Sequence, residues 1–477
     1  MPDYGGRNSG LALRSGAFQH LRETGMGFWA YAPVAAALVL RLASGPTANL
    51  SYLALAAYAL LSRAHAIRAL ALSWLFTMIS PGIAPEASAG AVGRYAVLFA
   101  AAASAIVHSS LFSSEPRLRP FTLATLLLGL FIMCHSLLFS PIPDVSVLKA
   151  VSWTLAMTTL LSAWCSLSEQ QMQEMSQQLF WGLVLVLLAS LPLAASSLGY
   201  MRNGMGFQGI LNQPQAFGPT MALLCAWTTS RLFGEARPSW WLLGVAGASL
   251  TGISLSEART AGFAIMLGVG CAVLLGPGVA GKPIRLMLPG MSSARVWAVF
   301  GAVLVACVVM APTIDSAFQR YISKSGRARL GGDQVEGVME AYDRSRGRLI
   351  DAMLENIAQH PLTGIGFGIA SEPATMVVSR DPVLGLPVGA SIEKGVAPLA
   401  VLEEIGTIGG LLVVAWIMRL LRSSARSGLA AFAVCLTVLL LNMGESTLFS
   451  AGGMGLLPLI LLGWAYADGI AKSTRRG

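Results

Sequence analysis

An all-α bundle of about 12–14 membrane-crossing helices is the fold class that this sequence predicts. Three observations lead there. Of 477 residues, 55% are hydrophobic and only 12% charged, against about 25% charged in soluble globular chains. So few charges cannot cover a soluble surface, which excludes a soluble enzyme, a disordered chain and a fibrous protein. The apolar runs are near-continuous rather than alternating, which disfavours a transmembrane β-barrel. The basic residues, finally, gather in alternate connecting segments, as the positive-inside rule requires of a multi-pass protein. The net charge of +9, from 32 Lys and Arg against 23 Asp and Glu, therefore belongs to loops and gives no reason to expect nucleic acid.

Taken in order, residues 1–27 are polar and glycine-rich, with Arg7, Arg14 and Arg22. They read as a cytoplasmic tail and lack the small-residue cleavage site of a signal peptide. Apolar candidate spans follow near 28–43, 48–62, 67–84, 92–111, 121–140 and 146–166. More lie near 179–198, 214–233, 240–256, 260–276, 296–312, 396–418, 428–447 and 452–470. Arg41 is expected to snorkel from the end of the first. If the N-terminus is inside and the spans alternate, the inside segments hold most of the basic residues, from Arg63 and Arg68 to Arg422, Arg426 and Lys472. The short outside segments keep only Arg41, Arg94, Lys149, Arg202 and Arg259. Both termini are then cytoplasmic. The chain divides into the tail, a bundle over 28–312, one large outward loop over 313–395, and closing spans over 396–477.

Six cysteines in apolar segments, with no close pairs, read as packing residues, and the five histidines lack metal-ligand spacing. The large loop carries the chemistry. A helix is predicted from about Ser345 to Gln359, capped by Asp343 or Ser345 and ended by Pro361, with Ile350, Met353, Leu354 and Ile357 as its apolar stripe. Arg344, Arg346 and Arg348 crowd its start. Helix N-termini already favour anions, so three guanidiniums there suit a diphosphate, a solvated loop face or lipid headgroups. Gly364-Ile365-Gly366-Phe367-Gly368 is a turn that permits close backbone approach. Arg259, between two spans with almost no loop, is a costly charge; it either binds substrate or pairs with Glu257. Asn442 and Glu445, about one helical turn apart near the outer end of a span, share a face and line a polar cavity or pair structurally. His360 is expected to act as a helix cap.

The run from Arg346-Gly347-Arg348-Leu349-Ile350-Asp351 to Gln359-His360-Pro361-Leu362-Thr363-Gly364-Ile365-Gly366 resembles the signature of the O-antigen ligase and O-antigen polymerase family, with the arginine fifteen residues before the proline. Asn212-Gln213-Pro214, Ser256-Glu257-Ala258-Arg259-Thr260-Ala261, and Glu404-Ile405-Gly406 with Gly409 are similar to its other motifs. The matches run from about Gly209 to Leu421. One position departs: where the ligases carry His-Asn, this chain has Gly395-Val396, preceded by Glu393-Lys394.

The resemblance implies a GT-C-like membrane glycosyltransferase acting at the periplasmic face of a bacterial inner membrane. Its donor would be a glycan on polyprenyl (undecaprenyl) diphosphate. The acceptor would be another glycan in a polymerase, or a lipid core in a ligase, and polysaccharide export proteins would be neighbours. Arg259 and Arg346 are the implied diphosphate ligands, with Arg344, Arg348 and Lys394 behind them. Glu404, beside Glu403, is the candidate base or else bonds a loop backbone and closes the site, and Asn212, Glu393 and Glu445 would line the substrate site. With no Asp-x-Asp pair, no metal or cofactor is expected. The missing histidine favours an exopolysaccharide or O-antigen polymerase. A proton-coupled transporter and a non-catalytic envelope scaffold are the competing classes, though the halves show no internal repeat.

Overall fold

The computed structural model describes residues 27–109, 119–201, 206–298, 301, 347–380, 385, 387–390 and 394–474. Helices dominate. They are α1 (Gly27–Ala43), α2 (Gly45–Ala59), α3 (Arg63–Met78), α4 (Gly90–Ser109), α5 (Arg119–Phe139), α6 (Pro143–Cys165), α7 (Glu169–Ser190), α8 (Pro214–Gly234), α9 (Trp240–Ser256), α10 (Arg259–Ala280), the loop helix α11 (Arg348–Gln359), α12 (Ala397–Ser427), α13 (Leu429–Leu441) and α14 (Leu456–Thr474). A two-stranded antiparallel ribbon pairs β1 (Val378–Arg380) with β2 (Pro387–Ala390). Among the described residues, seven helices are long and apolar enough to cross a membrane. The chain is thus a multi-pass helical membrane protein by length and composition. Each expected span coincides with a helix except 296–312, most of which lies outside the described residues.

Burial orders the bundle. The apolar windows of α6 and α14 are 72% and 78% buried and form its centre. Those of α7 and α10 are 33% buried, and leucines such as Leu138 and Leu274 stand fully outward. In water such a belt would be a large exposed patch; in a bilayer it faces acyl chains. Aromatic rings fill the centre: Phe121 stacks between Trp416 and Tyr466, and Trp227 stacks on Trp464. Trp416 Nε1 donates to Thr125 Oγ1 at 2.9 Å, which satisfies its buried N–H.

Contacts between loops sort the helix termini into two ends. At one, Arg63 reaches Ser166 O (2.6 Å), Lys282 reaches Arg426 O (3.2 Å) and Lys472 reaches Ser427 O (2.9 Å). This is the basic end. At the other, Asn212 N–H donates to Met78 O (2.7 Å), Ala397 N–H to Asn442 O (2.9 Å) and Ser446 N–H to Lys394 O (3.1 Å). This is the motif end. Every described helix from α1 to α10 runs from one end to the other in strict alternation, as do α12 to α14.

Three local expectations change. Arg41 does not snorkel: it is 5% exposed and donates to Phe76 O (3.0 Å) and Pro85 O (2.5 Å). Carbonyls freed at the end of α3 accept it better than a distant interface does. The span expected over 428–447 stops at Leu441. Asn442 Oδ1 accepts from the N–H groups of Thr447 (2.8 Å) and Leu448 (2.7 Å), and this side-chain cap turns the chain out of the helix. Asn442 and Glu445 therefore share a turn rather than a helix face. In α11, Met353 is buried but Leu354 is 48% exposed, because it lies one residue further round. The loop helix begins at Arg348 with no side-chain cap and ends at Gln359 as expected; Asp343 and Ser345 fall outside the described residues.

Candidate functional site

The glycine turn and α12 interlock. Gly406 sits at φ 65°, ψ −175° and breaks α12 between its first and second halves. A helix break leaves the preceding carbonyls without their usual donors. Here Ile365 N–H donates to Glu403 O (2.8 Å) and Gly366 N–H to Glu404 O (3.0 Å). In return, Thr407 N–H and Oγ1 donate to Pro361 O at 2.9 and 2.8 Å. Gly364 at φ 64° has no room for a side chain: a Cβ there would lie 2.6 Å from Glu403 O. Irregular backbone at membrane depth persists only where protein satisfies it, and these four hydrogen bonds do so. The turn also touches the bundle. His135 Nε2 donates to Thr363 O, and Lys149 Nζ donates to Gly368 O at 2.8 Å.

A buried ion cluster lies under the turn. Lys394 Nζ is 2.6 Å from Glu403 Oε2 and 3.1 Å from Glu404 Oε1, with the lysine and Glu403 side chains 2% and 0% exposed. The 2.6 Å contact is off the hydrogen-bond direction, so its attraction is coulombic. Asn356 Nδ2 donates to Glu403 Oε1 at 2.7 Å, and Gly368 N–H donates to Glu404 Oε2 at 2.8 Å. Lys149, from α6, is in coulombic range of Glu404 and Lys394. Two cations and two carboxylates thus balance, and the cluster fastens the loop helix, the turn and α12 to the bundle. The positive charge of Lys394 is held by two glutamates, and Glu404 has its carboxylate engaged twice.

From this cluster the contacts continue. Ser446 N–H donates to Lys394 O, in the turn that contains Gly444 and Glu445. A Cβ on Gly444 would collide with Thr260, so this turn abuts the start of α10. Arg259 is the first residue of α10, after Glu257 in the left-handed region (φ 55°), where backbone strain is stored. Arg259 and Glu445 are both half-buried and engaged by neighbouring groups. Behind them Gly206 presses on Pro214 and on Ser256 O, which joins the Asn212-Gln213-Pro214 motif to the Ser256 turn. Asn212 lines a cavity of about 310 Å³, and its Oδ1 is buried without a hydrogen-bond partner.

The structure thus brings together Asn212, Arg259, Lys394, Glu404 and Glu445 at one end of the bundle. Arg348 opens α11. Arg344, Arg346 and Glu393 lie outside the described residues. Sequence reasoning missed Glu403, Asn356, Lys149 and His135. Lys149 did carry a signal, as a cation seven residues into an otherwise apolar helix that holds one other charge, Asp144, in its first turn. Asn356, on the polar side of a loop helix, carried none. No protein-family model matches the chain, and no curated protein is significantly similar to it.

Proposed function

We infer that the chain is a membrane glycosyltransferase that takes a glycan from a polyprenyl diphosphate donor at the non-cytoplasmic face and adds it to another lipid-linked glycan, as an exopolysaccharide or O-antigen polymerase. One observation carries this reading. Four segments spread over about two hundred residues, each singled out in the sequence, meet in one unbroken chain of contacts. It passes from Pro214 to Ser256, from Thr260 to Gly444, from Ser446 to Lys394, and from Glu403 and Glu404 to Ile365 and Gly366. The positive-inside rule puts the basic end in the cytoplasm, which leaves this junction outside.

In the proposed reaction an acceptor hydroxyl attacks the anomeric carbon as its bond to the diphosphate breaks. The bonding electrons leave with the diphosphate, and the hydroxyl proton passes to a base. Negative charge grows on the departing group, and preorganised cations in a poorly hydrated site stabilise it. Arg259 and Arg346 take that role, with Arg344 and Arg348 beside the loop-helix start. Lys394 and Glu404 take a structural part in this reading. Their charges are spent on each other and on the loop backbone, so they hold the site's shape. The His-Asn of the ligases has no counterpart at Gly395-Val396, which favours a polymerase.

The test is turnover of a purified lipid-linked repeat unit in proteoliposomes. Ladders of growing length without added acceptor support polymerase. Transfer only to an added lipid-core acceptor identifies a ligase. No transfer in either arm rejects the reading. Turnover is expected to persist in excess chelator, and its loss there would refute the metal-independent mechanism.

A further inference from the structure

The cavity that Asn212 lines opens at the motif end, among α1 to α4. It measures about 310 Å³, and its wall includes Arg41, Tyr52, Thr77, Glu86, Arg94 and Asn212. Its charge is unusual. Arg41 is 5% exposed, and its bonds to Phe76 O and Pro85 O fix the guanidinium plane. Among the described residues neither Arg41 nor Arg94 is ion-paired with a carboxylate. Carbonyls satisfy N–H groups but leave the charge, and a buried uncompensated charge is costly. Two guanidiniums against the single carboxylate of Glu86 leave the wall with an excess positive charge.

The rest of that wall is neutral hydrogen-bonding chemistry. Tyr52 Oη and Thr77 Oγ1 are 3.2 Å apart, and either can donate. Asn212 Oδ1 is buried with no donor from the protein among the described residues, and a ligand hydroxyl can donate to it. The volume is at the small end for ligand pockets, about 300–1,000 Å³, which suits a sugar ring or two and not a lipid chain. Position adds to this. Asn212 stands two residues before α8, and the Arg94 guanidinium packs on Gly452, in the same connection as Glu445.

We propose that this cavity is a subsite for a carboxylate-bearing sugar ring, a uronic acid of the glycan. Arg41 and Arg94 take the carboxylate, and Asn212 Oδ1 accepts from a ring hydroxyl. Guanidinium matches carboxylate in geometry as well as charge. The subsite's place in turnover rests on the glycosyltransferase reading; its binding chemistry does not.

The full-length protein in lipid nanodiscs, titrated with glucuronic acid, glucose and inorganic phosphate and followed by saturation-transfer NMR, tests this. Glucuronate is expected to bind with a Kd of about 1 mM, glucose about tenfold more weakly, and phosphate not to displace glucuronate at equal concentration. Arg94→Gln should weaken glucuronate about tenfold. Arg94 makes no hydrogen bond among the described residues, so its replacement leaves the fold intact; Asn212→Ala is the second variant, expected to weaken both sugars. Four outcomes overturn the proposal: no glucuronate binding in the unaltered protein up to about 10 mM, equal binding of glucose, full affinity in Arg94→Gln, or displacement by phosphate, which would mark a free-phosphate or headgroup site. Glycan transfer on the same sample separates the two readings. Binding without transfer rejects the enzyme and keeps the subsite, whereas transfer without binding rejects the subsite alone.

Discussion

The buried ion cluster at the motif end and the one-turn ion pairs at the basic end treat charge in opposite ways. At the basic end, Arg231–Glu235 (3.9 Å), across the end of α8, and Lys472–Asp468 (2.7 Å), within α14, are i,i+4 pairs with side chains 21–50% exposed. At the motif end, Lys394, Glu403 and Glu404 are nearly sealed from solvent and join two chain segments to the loop helix. The first arrangement orients loops and meets water. The second is costly in desolvation and survives only because each carboxylate has further donors. Long side chains with neighbouring water are cheap to rearrange, while a buried network fixes geometry. Fixed geometry is what a site needs when it must hold a departing anion without reorganising.

That contrast can be broken by substitution. The largest effect is expected for Glu403→Ala, which leaves Lys394 buried with one carboxylate and Asn356 with only its bond to Ser371 O. It should destabilise by about 3–5 kcal/mol, read as a shift in denaturant midpoint in detergent. Next comes Gly406→Ala, which forces a side chain into the Leu362 carbonyl at a positive φ. A loss of about 2–3 kcal/mol is expected, with weaker hydrogen-exchange protection at Ile365 and Gly366. The smallest effect is expected for Lys472→Ala, at most about 1 kcal/mol and diminished further by added salt. If Lys472→Ala costs as much as Glu403→Ala, the two ends do not differ as described.

The helices themselves were legible because bilayer-length apolar runs leave few other structures. What escaped was where helices stop or break. The span expected to reach 447 stops at Leu441, where the polar run Asn442-Met443-Gly444-Glu445-Ser446-Thr447 begins and the Asn442 side chain caps the turn. Likewise Gly406 looks like one small residue among several, and only its partner turn, some forty residues earlier, makes it a break. Of the site, the motif residues on α10 and α12 were visible in the sequence. The pairing of Lys394 with both glutamates was not, because it depends on how α12 leans over the turn. Glu404 reads in the sequence either as a base or as a group that bonds the loop backbone, and its contacts here are with Lys394 and the Gly368 N–H. Arg344, Arg346 and Glu393 lie outside the described residues and keep the roles proposed for them.

We propose that guanidinium charge at the motif end stabilises a leaving diphosphate. The most direct test is Arg259→Ala, assayed on an undecaprenyl diphosphate-linked repeat unit alongside its unfolding midpoint. Turnover of the folded variant is expected to fall about 10²–10³-fold. Turnover at the unaltered rate in a folded Arg259→Ala protein would contradict it.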